Sequence, residues 1–228
     1  MGRLGPFEVI GQVGQGSDAT VWRGQHVETG IPVAIKVISL GEGAKDSHVY
    51  RFRAEVRSIA RIMHDGVVRI YDEGLVTDRR VFGSGEEVVN GSPYIVMEWA
   101  EHGNLWDRAE SLDFAQLNTI LLALLESLAA VHARGVIHRD IKPRNILFAD
   151  RGLLLADFGV AYESGAEAED PHLKKLLGSP NYMAPEQVLC TWRDFGPWTD
   201  LYAVGFLAWF LTTGRAPFHR RTNRAVLQ

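Results

Sequence analysis

One eight-residue stretch constrains this chain more than any other feature: His138-Arg139-Asp140-Ile141-Lys142-Pro143-Arg144-Asn145. It places a carboxylate, an ammonium group and a neutral amide close together on the chain. Average residue usage does not produce such a dense set of specific polar residues by chance. The stretch therefore indicates a catalytic loop.

Length and composition limit the remaining possibilities. The chain has 228 residues, enough for a hydrophobic core and for one or two domains, and its formal net charge is −4. This balance gives no reason to expect nucleic acid or an anionic membrane as the main partner. Cys190 is the only cysteine, and the N-terminus has no signal-peptide pattern. Both features predict a cytoplasmic location.

The first hundred residues contain short apolar and β-branched runs separated by turn residues, which predict strands. The predicted strands cover residues 7–10, 20–23, 32–37, 67–71 and 94–98. Before the fourth strand, Phe52, Val56, Ile59 and Met63 recur at helical spacing and predict one helix. The charged, glycine-containing stretch at 72–93 is predicted to form an extended hairpin or a mobile loop.

Three arginines, Arg53, Arg57 and Arg61, form a basic stripe beside the apolar face of that predicted helix. A solvated helix face is one interpretation of the stripe. The alternative is a docking surface for an acidic or phosphorylated segment. The sequence leaves both interpretations open.

After residue 100 the pattern becomes helical. A long amphipathic helix ending near Gly135 is predicted from Phe114, Leu117, Leu121, Leu124, Leu128 and Val131. Irregular sequence follows at 136–186. A second helix at about 200–213 is apolar almost all round, so we expect it to be deeply buried. Its apolar run, residues 203–211, is too short to span a bilayer.

Two features of the strand-rich half are compatible with nucleotide binding. Gly14 and Gly16 lie in a turn between strands, where the absence of a Cβ lets backbone N–H groups approach phosphate oxygens. Lys36, on the third predicted strand, could neutralise phosphate charge if the carboxylate of Glu55 holds it in place. Taken alone, a two-glycine turn and a strand lysine are ordinary structural features.

The catalytic loop carries groups that phosphoryl transfer requires. Asp140 can accept a hydrogen bond from an attacking hydroxyl, Lys142 can stabilise charge on the transferred group, and Asn145 offers a neutral oxygen to a divalent cation. Twelve residues after Asn145, Asp157 begins an Asp-Phe-Gly tripeptide that follows an apolar run. This spacing places Asn145 and Asp157 across one hairpin as two metal ligands.

With these motifs in this order, the sequence resembles the eukaryotic-type protein kinase superfamily and is similar to its bacterial serine/threonine members. The resemblance runs from about Phe7 to Phe218. It implies an α+β, protein-kinase-like bilobal fold that is C-terminally truncated in the helical lobe. An N-lobe, an antiparallel sheet with one helix, is expected at residues 1–98. A mainly helical, incomplete C-lobe is expected at 99–228.

The resemblance also implies roles for individual residues. Asp140 and Lys142 match catalytic positions, and Lys36 and Glu55 match the ion pair of the active state. The matching ATP-binding positions are Val13, Gly14, Gln15, Gly16, Val21, Ala34, Lys36, Met97, Glu98, Ala100 and Leu147. Asn145 and Asp157 match the ligands of Mg²⁺ or Mn²⁺. Asp200 matches the buried residue that braces the backbone of the catalytic loop.

The implied function is a protein serine/threonine kinase of bacterial signalling, which transfers the ATP γ-phosphoryl group to Ser or Thr hydroxyls of a protein substrate. Lys142, two residues after Asp140, and the sequence Gly178-Ser179-Pro180 resemble serine/threonine rather than tyrosine kinases. One alternative is a pseudokinase, an ATP-binding scaffold of the same fold. A small-molecule kinase is a second alternative, against which the Ala-Pro-Glu sequence at 184–186 argues.

The sequence departs from the family pattern in its glycine-rich loop and in its activation segment. Ala19 replaces a third glycine, so we expect a stiffer loop that still binds ATP. Residues 162–177 are acidic, contain no Thr and have Ser164 as their only Ser. We hypothesise that fixed carboxylates or a partner replace a phosphate near Arg139 and the basic stripe. The alternative is a disordered polar loop.

A third departure concerns the end of the sequence. The chain stops at Gln228, about where the family's next helix should begin, and it lacks the arginine that pairs with Glu186 in the family. We therefore expect a fragment of a longer protein, with membrane association only through sequence beyond residue 228. A dimer is compatible with the sequence. His64, His172, His219 and Cys190 lack zinc-ligand spacing and are interpreted as structural or surface residues.

Overall fold

The structure, a computed structural model, describes residues 2–16, 19–39, 52–53, 56–82, 88–158, 180–189 and 191–215. These residues form two compact units. The first unit contains the described residues up to 61 and residues 68–99. The second contains 62–67, 100–158 and the described residues from 180 onwards.

The first unit is built on one antiparallel sheet of six strands. The strands are β1 (Arg3–Leu4), β2 (Phe7–Gln15), β3 (Ala19–His26), β4 (Pro32–Ile38), β5 (Ile70–Leu75) and β6 (Pro93–Glu98). Their order across the sheet is β1-β2-β3-β4-β6-β5. The first three predicted strands are present in β2, β3 and β4 and are longer than predicted. Antiparallel pairing satisfies the backbone groups that the short apolar runs would otherwise bury unpaired.

The strand predicted at 67–71 is displaced in the structure. β5 begins at Ile70, whereas Val67 forms an isolated parallel bridge with Leu155 in the second unit. Val67 and Val68 are both buried. A buried apolar pair has the same sequence pattern whether it lies in a strand or in an irregular segment, which explains the error.

The register of the central strands separates the side chains into two faces. Lys36 lies directly opposite Val21 on β3 and Ile95 on β6, and Ala34 lies opposite Met97. Opposed residues of an antiparallel pair point to the same side, so these five side chains share one face. Neighbouring residues along each strand, such as Trp22, Ile35 and Val96, point to the other face and are buried in a hydrophobic cluster.

The segment between β5 and β6 completes that hydrophobic cluster. Residues 79–82 form a short 3₁₀ helix, and Val76, Phe82 and Val88 are buried with the side chains of the sheet. The ring centroids of Phe82 and Trp22 lie 5.2 Å apart. The described part of the predicted hairpin or loop is therefore a cover over one face of the sheet, because its apolar residues pack against that face.

The predicted helix of the first unit is α1, described at residues 52–53 and 56–60. Phe52, Val56 and Ile59 are buried, as predicted. Met63 was expected on the same face but is 81% exposed. Helical geometry has ended by residue 61, so the helical period no longer determines where Met63 points.

The second unit contains a long helix, α2 (Phe114–His132). Asp113 and Gln116 form a reciprocal capping box at its start, which satisfies N–H groups that have no helical partner. Leu117, Leu124, Leu128 and Val131 are buried as predicted, but Phe114 is 82% exposed. Phe114 is the first helical residue, where no preceding turn is present to pack against it.

Among the described helices, α2 alone has the length and apolar composition that a membrane span requires. The core helix of a soluble protein meets the same criteria. Here α2 packs against other elements of its unit through its buried face.

The remaining elements of the second unit are the hairpin β7 (Ile146–Ala149) and β8 (Gly152–Leu155), and the helices α3 (Pro185–Val188) and α4 (Pro197–Thr213). The prediction that α4 is deeply buried is correct for one of its faces and wrong for the other. Asp200, Val204 and Leu207 are buried, but Trp198, Leu201 and Trp209 are largely exposed. The apolar composition of a helix does not by itself show which of its faces packs against the rest of the protein.

The packing of Phe82 gives a test of the fold. Replacing Phe82, 4% exposed, with alanine removes a ring from the cluster and should lower the free energy of unfolding by about 3–5 kcal/mol. The same substitution at the exposed Phe114 should change it by less than about 1 kcal/mol. Urea unfolding of both variants measures the difference. Equal destabilisation would contradict the covering role of the segment between β5 and β6.

Candidate active site

The carboxylate of Asp200 holds the start of the catalytic loop. Its side chain is fully buried. Oδ2 accepts the backbone N–H of His138 at 2.8 Å, and Oδ1 accepts that of Arg139 at 2.7 Å. His132, at the end of α2, contacts Oδ2 through Nε2 at 2.7 Å. Three donors on one buried carboxylate fix the distance between α4 and the loop, because a buried charge must be fully hydrogen-bonded.

His138 joins the loop to the strand that precedes Asp157. Its Nε2 lies 3.0 Å from the carbonyl oxygen of Ala156, and its Nδ1 accepts the backbone N–H of Asp140 at 3.2 Å. These partners require a neutral ring with the proton on Nε2. Complete burial, which penalises the charged form, lowers the pKa of His138. The histidine is therefore a structural strut rather than an acid or a base.

Arg139 and Asp157 adopt left-handed backbone conformations, with φ of 68° and 58°. They are the only non-glycine residues described with positive φ. Such conformations cost about 1 kcal/mol or more and persist only where neighbouring contacts enforce them. Asp200 binds the N–H of Arg139, and the side chain of Gln187 donates Nε2–H to its carbonyl at 2.7 Å. The residue before Asp140 is thus held from both sides.

The loop brings Asp140, Lys142 and Asn145 together. Lys142 Nζ lies 2.6 Å from Oδ2 of Asp140, and Asn145 Nδ2 donates to the same oxygen at 2.9 Å. Asn145 Nδ2 also donates to the Asp140 carbonyl at 2.8 Å. Among the described residues no hydrogen bond reaches Oδ1 of Asp140. That oxygen can accept a hydrogen bond from a substrate hydroxyl.

Asn145 and Asp157 lie at the base of the β7–β8 hairpin, where the sequence predicted two metal ligands. Ile146 pairs with Leu155, and Ala156 N–H donates to the Asn145 carbonyl at 2.9 Å. Because Nδ2 of Asn145 is used by Asp140, its Oδ1 is the oxygen that can face a cation. An amide oxygen and a carboxylate suit a hard divalent cation that completes its shell with phosphate oxygens and water. No cluster of three metal-binding side chains occurs in the described ranges.

Four of the predicted ATP-binding residues of the first unit share the sheet face opposite its hydrophobic cluster. Val21, Ala34, Lys36 and Met97 lie there by register. Lys36 is half-buried between the strands that flank β4. Its predicted partner, Glu55, lies outside the described residues, so the ion pair stays a prediction.

The predicted glycine-rich turn joins β2 and β3. Gly14 lies opposite Val21, and the register shifts just before it, between Gln12 and Gly14. Gly16 N–H donates to the Ala19 carbonyl at 2.8 Å, which closes the described part of the turn. A Cβ at Gly14 or Gly16 would meet nothing closer than 3.6 Å. The backbone there is consequently open to a ligand, and Val13 beside it is half-exposed.

The predicted hinge begins at the end of β6. Glu98 donates its backbone N–H to the Arg69 carbonyl at 2.9 Å, and its carboxylate accepts the N–H of Arg69 at 3.2 Å. Ala100 falls in the second unit, as does Leu147 on β7. Leu147 forms an isolated bridge with Asn104, which fixes the segment after the hinge to β7.

Two arginines of the basic stripe, Arg53 and Arg57, are bound by a carboxylate of the sheet, although their side chains are 38% and 61% exposed. Glu73 on β5 binds Arg53 through Nε at 2.7 Å and through Nη2 at 3.1 Å, and it binds Arg57 at 3.2 Å. The hydrogen bond and charge of Glu73 raise the pKa of Arg53. One carboxylate thus ties α1 to the sheet. The acidic activation segment, 162–177, lies outside the described residues.

Glu186, whose family partner is absent from the sequence, has another partner in the structure. Thr199 donates its hydroxyl to Oε1 of Glu186 at 2.7 Å. Thr199 lies in the first turn of α4, where the helix dipole favours a negative charge. The carboxylate is therefore stabilised within the second unit by a hydroxyl and a helix terminus.

Sequence reasoning missed Gln187, Glu73 and Thr199. None belongs to a motif, and each acts through a contact with a residue at least 13 positions away in the sequence. The signal that could have found Gln187 is weak, because it is one polar residue on a short helix that directly follows Glu186. Glu73 could have been suspected as the carboxylate for the basic stripe.

Comparison with known proteins identifies the family of the chain. Residues 7–228 match the family described as the protein kinase domain. The chain belongs to the protein kinase domain family. The match covers nearly the whole chain, and it confirms the predicted α+β kinase fold class. Members of this family use ATP, a divalent metal ion and protein substrates.

Named relatives agree with the predicted class. The chain is 34% identical over 224 residues to the serine/threonine-protein kinase Pkn1 of Myxococcus xanthus, covering 95% of this chain and 30% of the relative. It is 36% identical over 217 residues to the serine/threonine-protein kinase PknL of Mycobacterium bovis, covering 93% and 50%. A rice kinase, CBL-interacting protein kinase 32, is 32% identical over 220 residues, covering 95% and 47%.

These relatives confirm the prediction of a serine/threonine kinase domain similar to bacterial members. The chain spans between about a third and a half of the length of each of them. Their names describe whole proteins, so the similarity extends only to the portion that the alignment covers.

The contact between Gln187 and Arg139 gives a test of how the kinase site is built. Gln187→Glu keeps an oxygen to accept the N–H of Ala184, now at 3.1 Å, but cannot donate to the Arg139 carbonyl when ionised. Loss of this bond should lower kcat about tenfold, since Asp140 follows Arg139 directly, and should leave the KM for ATP within about twofold. Steady-state kinetics separate the two constants.

Leu189→Ala, at an exposed position next to α3, is the matched control and should behave as the unsubstituted domain. A normal kcat for Gln187→Glu would show that the Arg139 carbonyl needs no partner. A parallel loss of kcat and of ATP affinity would indicate general misfolding instead.

Proposed function

We propose that this domain transfers the γ-phosphoryl group of ATP to Ser or Thr hydroxyls of a protein substrate. The observation that carries the proposal is the cluster of Asp140, Lys142 and Asn145. Asp200 binds the backbone that precedes this cluster, and Asn145 contacts the Asp157 carbonyl. A loop that served only to bind ATP would not require a carboxylate with one oxygen held and the other available.

Each residue of the cluster has a role in this proposal. Asp140 orients the attacking hydroxyl through Oδ1 and takes its proton as the bond to phosphorus forms. Lys142, held at 2.6 Å from the other oxygen of Asp140, supplies positive charge to the transferred phosphoryl group. Asn145 keeps the Asp140 carboxylate in one rotamer, which preserves the geometry of attack.

Asn145 and Asp157 would hold Mg²⁺ or Mn²⁺. The cation would neutralise phosphate charge and hold the phosphate oxygens in position. Lys36 would pair with phosphate oxygens, and the turn at Gly14 and Gly16, where no Cβ intrudes, would let the phosphates approach the backbone closely. Val21, Ala34, Met97 and Leu147 would line the adenine, with hydrogen bonds from the backbone of Glu98 to Ala100.

The proposed partners and location are those expected from the composition of the chain and from the roles of the site residues. The proposed partners are ATP and a protein substrate, with no nucleic acid, in the cytoplasm. A dimer is compatible with the proposal.

Transfer of radiolabelled phosphate from γ-labelled ATP tests the proposed function. The domain should label a generic basic protein, itself or both in the presence of Mg²⁺, and acid hydrolysis should recover the label in phosphoserine or phosphothreonine. Asp140→Asn should reduce the rate by about 10²–10⁴-fold, because the hydroxyl loses its base. Asp157→Ala should abolish transfer at the Mg²⁺ concentrations that support the unsubstituted domain, because it removes a carboxylate that would hold the cation.

A direct measurement of ATP binding by calorimetry accompanies the transfer assay. ATP binding without transfer to any protein would favour the pseudokinase alternative. Label found only in small molecules would favour the small-molecule kinase. Label in phosphotyrosine would contradict the assignment to the Ser/Thr class.

A further inference from the structure

Glu73 on β5 holds α1 by two successive turns of the helix. Its Oε2 accepts a hydrogen bond from Arg53 Nε at 2.7 Å. Its Oε1 accepts from Arg53 Nη2 at 3.1 Å and from Arg57 Nε and Nη2 at 3.3 and 3.2 Å. Both carboxylate oxygens are therefore used, and the Glu73 side chain is only 15% exposed. Residues four positions apart share one side of a helix, so we call the side that carries Arg53 and Arg57 the basic flank of α1.

The register of the sheet relates Glu73 to Lys36. Ile95 on β6 lies opposite Lys36 on β4, and it also lies opposite Glu73 on β5. Opposed residues point to the same side of a sheet, so Glu73 and Lys36 share one face and one line across the strands. Neighbouring strands are about 4.8 Å apart, which places the two backbones about 10 Å from each other.

The helix α1 lies over this same face. Glu73 points to the face of Lys36 and binds α1, and the helix residues Phe52, Val56 and Ile59 are buried. The hydrophobic cluster on the other face of the sheet contains none of the described residues of α1. A helix with its side chains is about 10 Å wide, so one that is held at Glu73 extends about as far as Lys36.

The helical period then determines what the far side of α1 carries. Successive residues are about 100° apart, so a residue two positions from both Arg53 and Arg57 belongs to the side opposite the basic flank. In the sequence that residue is Glu55, the predicted partner of Lys36. Glu55 lies outside the described residues, and its pairing with Lys36 is taken here from the sequence prediction.

Rotation of α1 about its axis is the movement that this arrangement controls. Side chains lie about 5 Å from the helix axis, so a rotation of about 30° moves a flank by about 2.5 Å. That shift is enough to break a hydrogen bond. The apolar contacts of Phe52, Val56 and Ile59 do not fix the rotation, because the hydrophobic effect is non-directional. The directional contacts with Glu73 do fix it.

We propose that Glu73 is a positioning residue for phosphoryl transfer, which holds the basic flank so that α1 presents the predicted carboxylate to Lys36. The inference rests on the proposed kinase function. Glu73 is outside the predicted ATP-binding positions and acts through Lys36, whose charge would lie against the phosphate oxygens. Its loss should therefore slow transfer more than it weakens ATP binding, since the adenine-lining residues are unchanged.

Glu73→Gln tests the inference because it keeps the size of the side chain and removes its charge. An amide has only one oxygen to accept from the two arginines. We expect kcat to fall about five- to tenfold, with the KM for ATP within about threefold of normal. Glu28→Gln, an equal charge change at an exposed position of the same unit, is the matched control and should change neither constant.

A double substitution on the helix side, Arg53→Gln with Arg57→Gln, should reproduce the loss of kcat. Both arginines are partly exposed, so this variant decides the question if Glu73→Gln does not fold. Circular dichroism of each variant shows whether it is folded. Glu73→Asp keeps the charge on a shorter side chain and should retain part of the rate.

A double-mutant cycle with Glu55 separates a positioning role from a merely structural one. Glu55→Gln removes the predicted partner of Lys36 and should itself lower kcat. Adding Glu73→Gln to that variant should then lower kcat by less than about twofold, because both changes release the same contact. Loss of general stability would instead multiply the two effects.

The outcomes distinguish this inference from the function on which it rests. A kcat for Glu73→Gln equal to that of Glu28→Gln would overturn the positioning role and leave the kinase function intact. Fully multiplied losses in the Glu55→Gln background would also overturn it, since Glu73 would then act independently of Lys36. If the unsubstituted domain transfers no phosphate, both the proposed function and this inference fail.

Discussion

The buried carboxylate of Asp200 is the contact on which the rest of the active site depends. It lies on a helix of the core and accepts the backbone N–H groups of two successive loop residues, His138 and Arg139. A carboxylate with no exposed surface is stable only when its hydrogen bonds are all made. The loop backbone therefore cannot move without leaving a buried charge unsatisfied. The strained conformation of Arg139 and the direction of the Asp140 side chain both follow from this restraint.

The second unit adds further contacts that act in the same direction. Gln187 holds the Arg139 carbonyl, and His138 joins the loop to the end of β8. These groups are neutral or fully paired, so the energy that fixes the site comes from ordinary hydrogen bonds made in a water-free environment. The accessible charged side chains of Asp140 and Lys142 are then presented on a rigid base. In the first unit the sheet register has a comparable effect, since it places Val21, Ala34, Lys36 and Met97 on one face.

The sequence was sufficient to predict the parts of the site that lie close together along the chain. The catalytic loop and the hairpin that joins Asn145 to Asp157 are local, and their residue types follow from the chemistry that they perform. The brace by Asp200 was predicted only through the family resemblance. Gln187, Glu73 and Thr199 were not predicted, because their partners come from elements whose relative placement is set by packing. Local periodicity contains no information on that placement.

The errors in the fold have similar causes. Met63 and Phe114 fit a helical period but lie at or beyond a helix end, where the period no longer determines burial. The outward face of α4 is as apolar as the inward face, so composition gave no means of telling them apart. The stretch at 72–93 looked like a loop because its charged residues and glycines outnumber the apolar residues that attach its described part to the sheet.

The central claim is that the Asp200 carboxylate holds the catalytic loop in its reactive conformation without contacting ATP. The rate of phosphoryl transfer by Asp200→Asn at saturating ATP tests it most directly. An asparagine keeps one acceptor oxygen but presents an NH₂ group to the second backbone donor, so one of the two loop contacts must break. We expect this rate to fall at least tenfold, with ATP affinity within about twofold of normal. An unchanged rate would contradict it.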